Sequence, residues 1–215
     1  MEILYCDNHL LIVNKPNGMP TQSSREHADN LTDRAKEWIK KRFNKPGNVF
    51  LEPIHRLDKP VSGLVLFART SKALSRLQEM MRERKIQKKY YALVDHMPPS
   101  SQGVLEHYLV HGEHQAQVVS EKHPEGKRAI LTYQVLRKAQ QGFLLEITLE
   151  TGRYHQIRAQ FAHIRLPIIG DRKYGSSTSW EREEIALHHG KLSFCHPVTQ
   201  KEMVFTSSAS FRDVL

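Results

Sequence analysis

Residues 62–68, Ser-Gly-Leu-Val-Leu-Phe-Ala, form a nearly uninterrupted apolar run. A run this short and uniform fits a strand covered on both faces, which requires a buried central place in a sheet. Further strand segments lie at 90–94, 103–110, 129–136 and 143–149. An opening strand-turn-strand runs from Ile3 to Val13 about Asp7-Asn8-His9, and a late hairpin joins 187–194 to 203–206 through His196-Pro197. Only three helical stripes interrupt them. Leu31, Ala35, Trp38 and Ile39 recur behind a cap at Asp29 or Asn30, and Leu74, Leu77 and Met81 mark residues 71–84. Ile157, Phe161 and Ile164 mark a helix predicted from Arg153 to about Arg165 and closed by Pro167. More strands than helices in irregular order predict an α+β fold with a mixed, mostly antiparallel sheet flanked by helices and loops. With no repeat, low-complexity tract or dividing linker, residues 1–215 are expected to form a single domain. The polar, His-rich stretch from His107 to Gly126 is the candidate mobile loop or hairpin.

Composition narrows the class. No apolar run approaches the roughly 18 residues of a membrane span. The N-terminal Met-Glu-Ile-Leu-Tyr lacks the charged and apolar regions of a signal peptide, so a cytoplasmic protein is expected. Cys6 and Cys195 are too few for a disulfide framework and too far apart for a paired-cysteine motif; both are expected as small buried hydrophobes. Lys and Arg number 32 against 23 Asp and Glu, a formal charge of +9. Such a balance favours a polyanionic partner, through release of condensed counterions.

Elimination removes several chemistries. No pair of glycines is spaced for dinucleotide binding, and no GK[ST] phosphate loop, GxSxG elbow, HExxH helix or PCxxC deaminase element occurs. His107, His111 and His114 are close in sequence, but no cysteine or carboxylate set completes a metal site, so neither metal nor cofactor is expected.

Three polar clusters remain. His55-Arg56-Leu57-Asp58 precedes the apolar strand, and flanking cations would keep Asp58 ionised; by spacing alone, an ordinary surface ion pair competes with that reading. In Thr151-Gly152-Arg153-Tyr154-His155-Gln156-Ile157-Arg158, a helix starting near Arg153 would offer its N–H groups, with Arg153 and His155, to phosphate, unless its polar face merely meets water. Lys88 and Lys89 lead into Tyr90-Tyr91, setting an aromatic beside a cationic track as single-stranded nucleic acid sites do; a solvated helix end before a core strand competes.

Together these clusters resemble the RluA-type family of RNA pseudouridine synthases. His55-Arg56-Leu57-Asp58 with Ser62-Gly63-Leu64 resembles its HRLDxxTSGL motif, and Lys88-Lys89-Tyr90-Tyr91-Ala92 its KxYxA motif. Residues 151–158, with Pro167-Ile168-Ile169-Gly170-Asp171 and Tyr174-Gly175, resemble its TGRxHQIR…PIxGDxxYG segment. The resemblance implies a catalytic fold with a central RNA-binding cleft. It implies cofactor-free isomerisation of uridine in an rRNA or tRNA stem-loop, in which the N-glycosidic bond breaks, the base turns and C5 rejoins the ribose. Asp58 is implied as the catalytic carboxylate, attacking C1′ or C6 or assisting a glycal route. Tyr90 would stack on the uracil and is a candidate for removal of the C5 proton. Arg158 would pair with Asp58, Ile157 would line the pocket, and Arg56 would displace the nucleotide from its stack. His55, Leu57, Lys88, Lys89, Arg153, His155 and Gln156 complete the expected RNA-binding set.

Val61, Gln160 and Arg165 depart from the family's usual Thr, His and Gly. The sequence opens at the catalytic region without an S4-like domain, so recognition is expected from the cleft, its basic rim and the His107–Gly126 segment. No obligatory protein partner is implied, and a monomer is the default. The competing readings are a catalytically silent RNA-binding or chaperone domain on the same fold, and a nucleosidase or glycosidase. The glycosidase would require two cooperating carboxylates, and only Asp58 stands out.

Overall fold

The computed structural model describes residues 1–23, 28–180, 184–209 and 211. They cluster into two compact units. The first comprises Met1–Gln87 with His189–Ser207, the second Lys88–His188 with the described residues beyond Ser207.

The first unit opens with the predicted hairpin, β1 (Glu2–Cys6) and β2 (Leu10–Lys15). Asp7 closes its turn, accepting on Oδ1 from the N–H groups of His9 (2.8 Å) and Leu10 (2.7 Å). Burial pushes the Asp7 carboxyl up, but these donors, with the Tyr5 hydroxyl and His196, outweigh it and hold the carboxyl below its ordinary range. Asn30 caps α1 (Leu31–Arg42), its Oδ1 accepting from Asp33 N–H at 3.0 Å, so the second of the two expected caps is the one used. A two-residue strand, β3 (Glu52–Pro53), and β2 both pair antiparallel with β4 (Ser62–Ala68), the apolar run. Residues 63–68 are buried throughout, as a central strand requires. The helix α2 (Ser71–Arg82) lays Ala73 and Leu77 into a core with Leu10, Ile12, Leu64 and Leu66. Each such aliphatic side chain contributes about 1.5–3 kcal/mol by leaving water.

In the second unit, β5 (Gln87–Val94), β6 (Gln102–His111), β7 (Ala116–Val119), β8 (Lys127–Lys138) and β9 (Phe143–Leu149) run in the order β5-β9-β8-β6-β7, each neighbouring pair antiparallel. The His-rich stretch is therefore largely the β6–β7 hairpin. Against this sheet lies α3 (Gln156–His163), with Phe161 edge-on to Tyr133 at 5.7 Å between ring centroids. The late hairpin, almost wholly of the first unit, is present as β10 (Leu187–Cys195) paired antiparallel with β11 (Glu202–Thr206). Among the described residues, no helix is long and apolar enough to cross a membrane.

Three expectations need correction. The helix α3 begins at Gln156, not Arg153, because His155 is left-handed (φ 50°) and the Gln156 side chain accepts from Arg153 N–H at 3.0 Å, fixing the preceding turn outside the helix. The helix also ends before Pro167 acts on it. Arg165 adopts φ 60°, while its own N–H bonds Ala162 O and that of Leu166 bonds Phe161 O. Finally, Cys195 is exposed and Cys6 only half-buried.

The Arg165 site yields a stability prediction. Glycine adopts this conformation without the Cβ penalty, so Arg165→Gly is expected to stabilise the fold by about 0.5–1 kcal/mol. Urea unfolding measures it; an unchanged or lower midpoint would contradict the assignment of strain to this residue.

Candidate active site

Within the first unit, the 55–63 loop is held from several sides. His55 is half-buried, and its Nε2 accepts the N–H of Leu66 at 3.3 Å, fastening the loop to β4. Leu57 is buried, and the Thr21 hydroxyl grips its backbone twice: Leu57 N–H donates to Oγ1 at 3.0 Å and Oγ1 donates to Leu57 O at 2.9 Å. Thr21 is itself held from α1, where the Thr32 hydroxyl donates to its carbonyl at 2.7 Å. The ammonium of Lys15, 1% exposed, donates to the carbonyls of Met19 (2.6 Å), Pro16 (3.1 Å) and Lys59 (3.3 Å). A tight turn from Asp58 to Val61 follows, Val61 N–H donating to Asp58 O at 3.0 Å. At Gly63 (φ 117°) a Cβ would lie 2.4 Å from His189 O, so only glycine fits where the loop enters β4. The half-buried Asp58 thus sits on backbone fixed on both flanks. Beside it the Arg56 side chain is exposed, with no hydrogen bond or ion pair among the described residues.

In the second unit, strand alternation separates the two lysines of β5. Lys88 is 7% exposed on the same face as the buried Tyr90. A Cβ added at Gly152 would meet Lys88 Nζ at 3.5 Å, which places the ammonium beside the Thr151–Arg153 turn. Desolvation brings its pKa down to about 8. Lys89 points the other way and pairs with Glu146 at 2.6 Å.

The 151–158 segment is fastened largely through its own polar groups. Gln156, 3% exposed, accepts on Oε1 from Thr151 Oγ1 (2.8 Å) and Arg153 N–H (3.0 Å), while its amide donates to Ile130 O (3.0 Å). Ile157 is buried at the helix start. Arg153 is exposed, its Nε donating to Arg128 O at 3.0 Å. Arg158, only 4% exposed, forks onto Asp171 through Nε to Oδ2 (2.6 Å) and Nη2 to Oδ1 (2.8 Å). A bidentate, charge-assisted pair of this kind fixes the guanidinium plane.

His155 completes this arrangement. Burial, then Arg158 and Lys173, push its pKa down to about 3, so the ring is neutral near pH 7. Its Nε2 faces Arg158 Nη1 at 3.1 Å and must accept, which leaves Nδ1–H to donate to the Tyr174 hydroxyl at 2.9 Å. The spacing of residues 151–158 did not reveal Asp171 and Tyr174 as partners of Arg158 and His155. The signal lay in Gly170-Asp171 and Tyr174-Gly175 of the same family-like segment.

Among known proteins, residues 9–163 match the family described as RNA pseudouridylate synthase. A ribosomal large subunit pseudouridine synthase C of Buchnera aphidicola is 31% identical over 97% of this chain and 67% of its own length. A tRNA pseudouridine synthase C of Vibrio parahaemolyticus is 30% identical over 97% of this chain and 90% of its own. The structure of human RNA pseudouridylate synthase domain containing 4 superposes with a TM-score of 0.79, at 24% identity, over 96% of this chain and 88% of that one. The chain belongs to the RNA pseudouridylate synthase family. It is an isomerase of the RluA type, and its fold is that of the pseudouridine synthases.

Proposed function

We propose that this chain isomerises a uridine in a structured rRNA or tRNA stem-loop, that Asp58 is the catalytic carboxylate, and that residues 1–215 act as one catalytic domain. The single observation carrying the assignment of Asp58 is the build of its loop. Thr21, Lys15 and Gly63 fix the backbone on either side of a carboxylate that needs a set position to reach a reacting nucleotide. The uninterrupted family match from residue 9 to 163, which includes segments of both compact units, supports a single working domain.

In the proposed reaction the C1′–N1 bond breaks, C1′ bonds to C5, C5 loses its proton and N1 gains one. The product is therefore an isomer and no redox cofactor is required. Asp58 attacks C1′ or C6 or assists a glycal route, Tyr90 stacks on the uracil and Arg56 enters the space the base leaves. Arg158 orients the site, with Ile157 lining the pocket. The relatives' names supply the two RNA classes. The proposal extends to a monomer acting in the cytoplasm. Carbodiimide mapping of pseudouridine in rRNA and tRNA from cells lacking the protein tests the substrate: one missing site in either RNA is expected, and full modification of both would overturn the reading.

Lys88 is proposed to meet an RNA phosphate, and its pKa provides a test. A nearby anion favours the charged ammonium, so RNA binding takes up a proton above about pH 8 and affinity falls as the pH rises through that value. Lys88→Ala is expected to flatten this dependence and to lower the salt slope by about 0.7, whereas Lys89→Ala, which removes a cation already paired with Glu146, changes neither. Equal pH profiles for wild type and Lys88→Ala would contradict the contact.

A further inference from the structure

Three rings from two parts of the second unit form one stack. Tyr154 lies against His155 with ring centroids 3.8 Å apart and planes at 19°, and His111 follows on Tyr154 at 4.1 Å and 33°. The inner ring is fixed by Arg158 and Tyr174. The outer ring is also held in place. His111 pairs in register with Ala116 across the β6–β7 hairpin, and Ala116 N–H donates to the Tyr174 hydroxyl at 2.8 Å, the same hydroxyl that holds His155. The hairpin and the 151–158 segment are thus joined through one tyrosine, and the stack has little ordering entropy left to lose.

The inner ring is the covered one, and the other two are exposed. His155 is half-buried, Tyr154 is 39% exposed and His111 is exposed, with Tyr154 as a ring contact and no side-chain hydrogen bond among the described residues. Two exposed cations neighbour the inner part of the stack. Arg153 is exposed next to Tyr154 in sequence, and Lys173, also exposed, lies close enough for its charge to act on His155. A rigid aromatic ledge among unburied cations fits a base with its flanking phosphates, the combination by which proteins hold unpaired nucleotides.

We infer that His111, backed by Tyr154 and His155, is a stacking ledge for an unpaired RNA base flanking the target nucleotide, with Arg153 and Lys173 meeting the adjoining phosphates. The inference rests on the reading that the substrate is RNA. It gives the β6–β7 hairpin a part in choosing which uridine is presented.

Binding of fluorescein-labelled oligouridylate of twelve nucleotides, followed by anisotropy across a salt series, tests this. His111→Ala and Tyr154→Ala are expected to weaken binding about 5-fold or more with an unchanged salt slope, because stacking releases no counterions. Tyr154→Phe, which keeps the ring, should bind within about twofold of wild type, and Lys173→Ala should lower the slope by about 0.7. Unchanged affinity in both alanine variants, or a wild-type protein that does not bind the oligonucleotide, would overturn the ledge. Release of C5 tritium from RNA by the same wild-type preparation reports separately on the isomerase reading, so the two failures are distinguishable.

Discussion

Replacing Asp171 by alanine is expected to destabilise the protein by about 3–5 kcal/mol and to eliminate turnover. The Arg158 guanidinium would stay buried with its bidentate partner gone, and breaking a buried ion pair by removing one member is costly. Turnover falls because the same fork sets the plane of Arg158, and Arg158 in turn holds His155 through Nη1. Arg158→Ala is expected to behave similarly in activity. Stability and positioning separate in the double variant Arg158→Met/Asp171→Leu. A buried pair replaced by packed apolar side chains often costs nothing, so urea unfolding should recover most of the stability while activity stays absent. An active double variant would contradict the positioning role of Arg158.

Asp58→Asn is expected to lower turnover by about 10³-fold or more while RNA affinity stays equal or tightens. The substitution keeps the side chain's shape, and it removes a negative charge that would lie near the polyanionic substrate. Folding should be unaffected, since the loop is held through the backbones of Leu57 and Lys59 and not through the carboxylate alone. The two variants therefore separate by their stability: Asp171→Ala loses both stability and function, Asp58→Asn function alone. A catalytically silent RNA-binding domain would not respond to Asp58→Asn in this way.

Much of the fold could be read from period and punctuation. The apolar run at 62–68, the Asp7 turn and the Asn30 cap act through neighbours in sequence, and the structure places each where it was expected. The start of α3 was not legible. It depends on the Gln156 side chain bonding Thr151 and Ile130, contacts that helical periodicity does not encode. The division between Lys88 and Lys89 was hidden for a simpler reason. Adjacent lysines on a strand face opposite ways, and which of them is buried depends on what covers each face.

The candidate site was legible as motifs and less so as contacts. Asp58, Tyr90 and Arg158 became candidates through their motifs, while the partner of Arg158 in the second unit, Asp171, lies 13 residues on and past the end of a helix. Gln156, expected to meet RNA, has both ends of its amide bonded to the chain itself, and His155 serves Tyr174 and Arg158. Tyr154 and His155 lie within the 151–158 motif, but the ring that stacks on them from outside it, His111, was not foreseen. The three rings come together only when the β6–β7 hairpin is formed, so His111 carried no signal beyond belonging to a His-rich stretch.

Release of tritium from 5-tritiated uridine in unmodified total RNA reports whether Asp58 drives conversion of uridine to pseudouridine. Joining C5 to the ribose must expel the C5 hydrogen, so wild-type protein is expected to release tritium and Asp58→Asn, folded and bound to the same RNA, to release none above background. Release by the variant at the wild-type rate would remove Asp58 from the reaction, and tight RNA binding without release from any RNA fraction by the wild type would contradict the isomerase account itself.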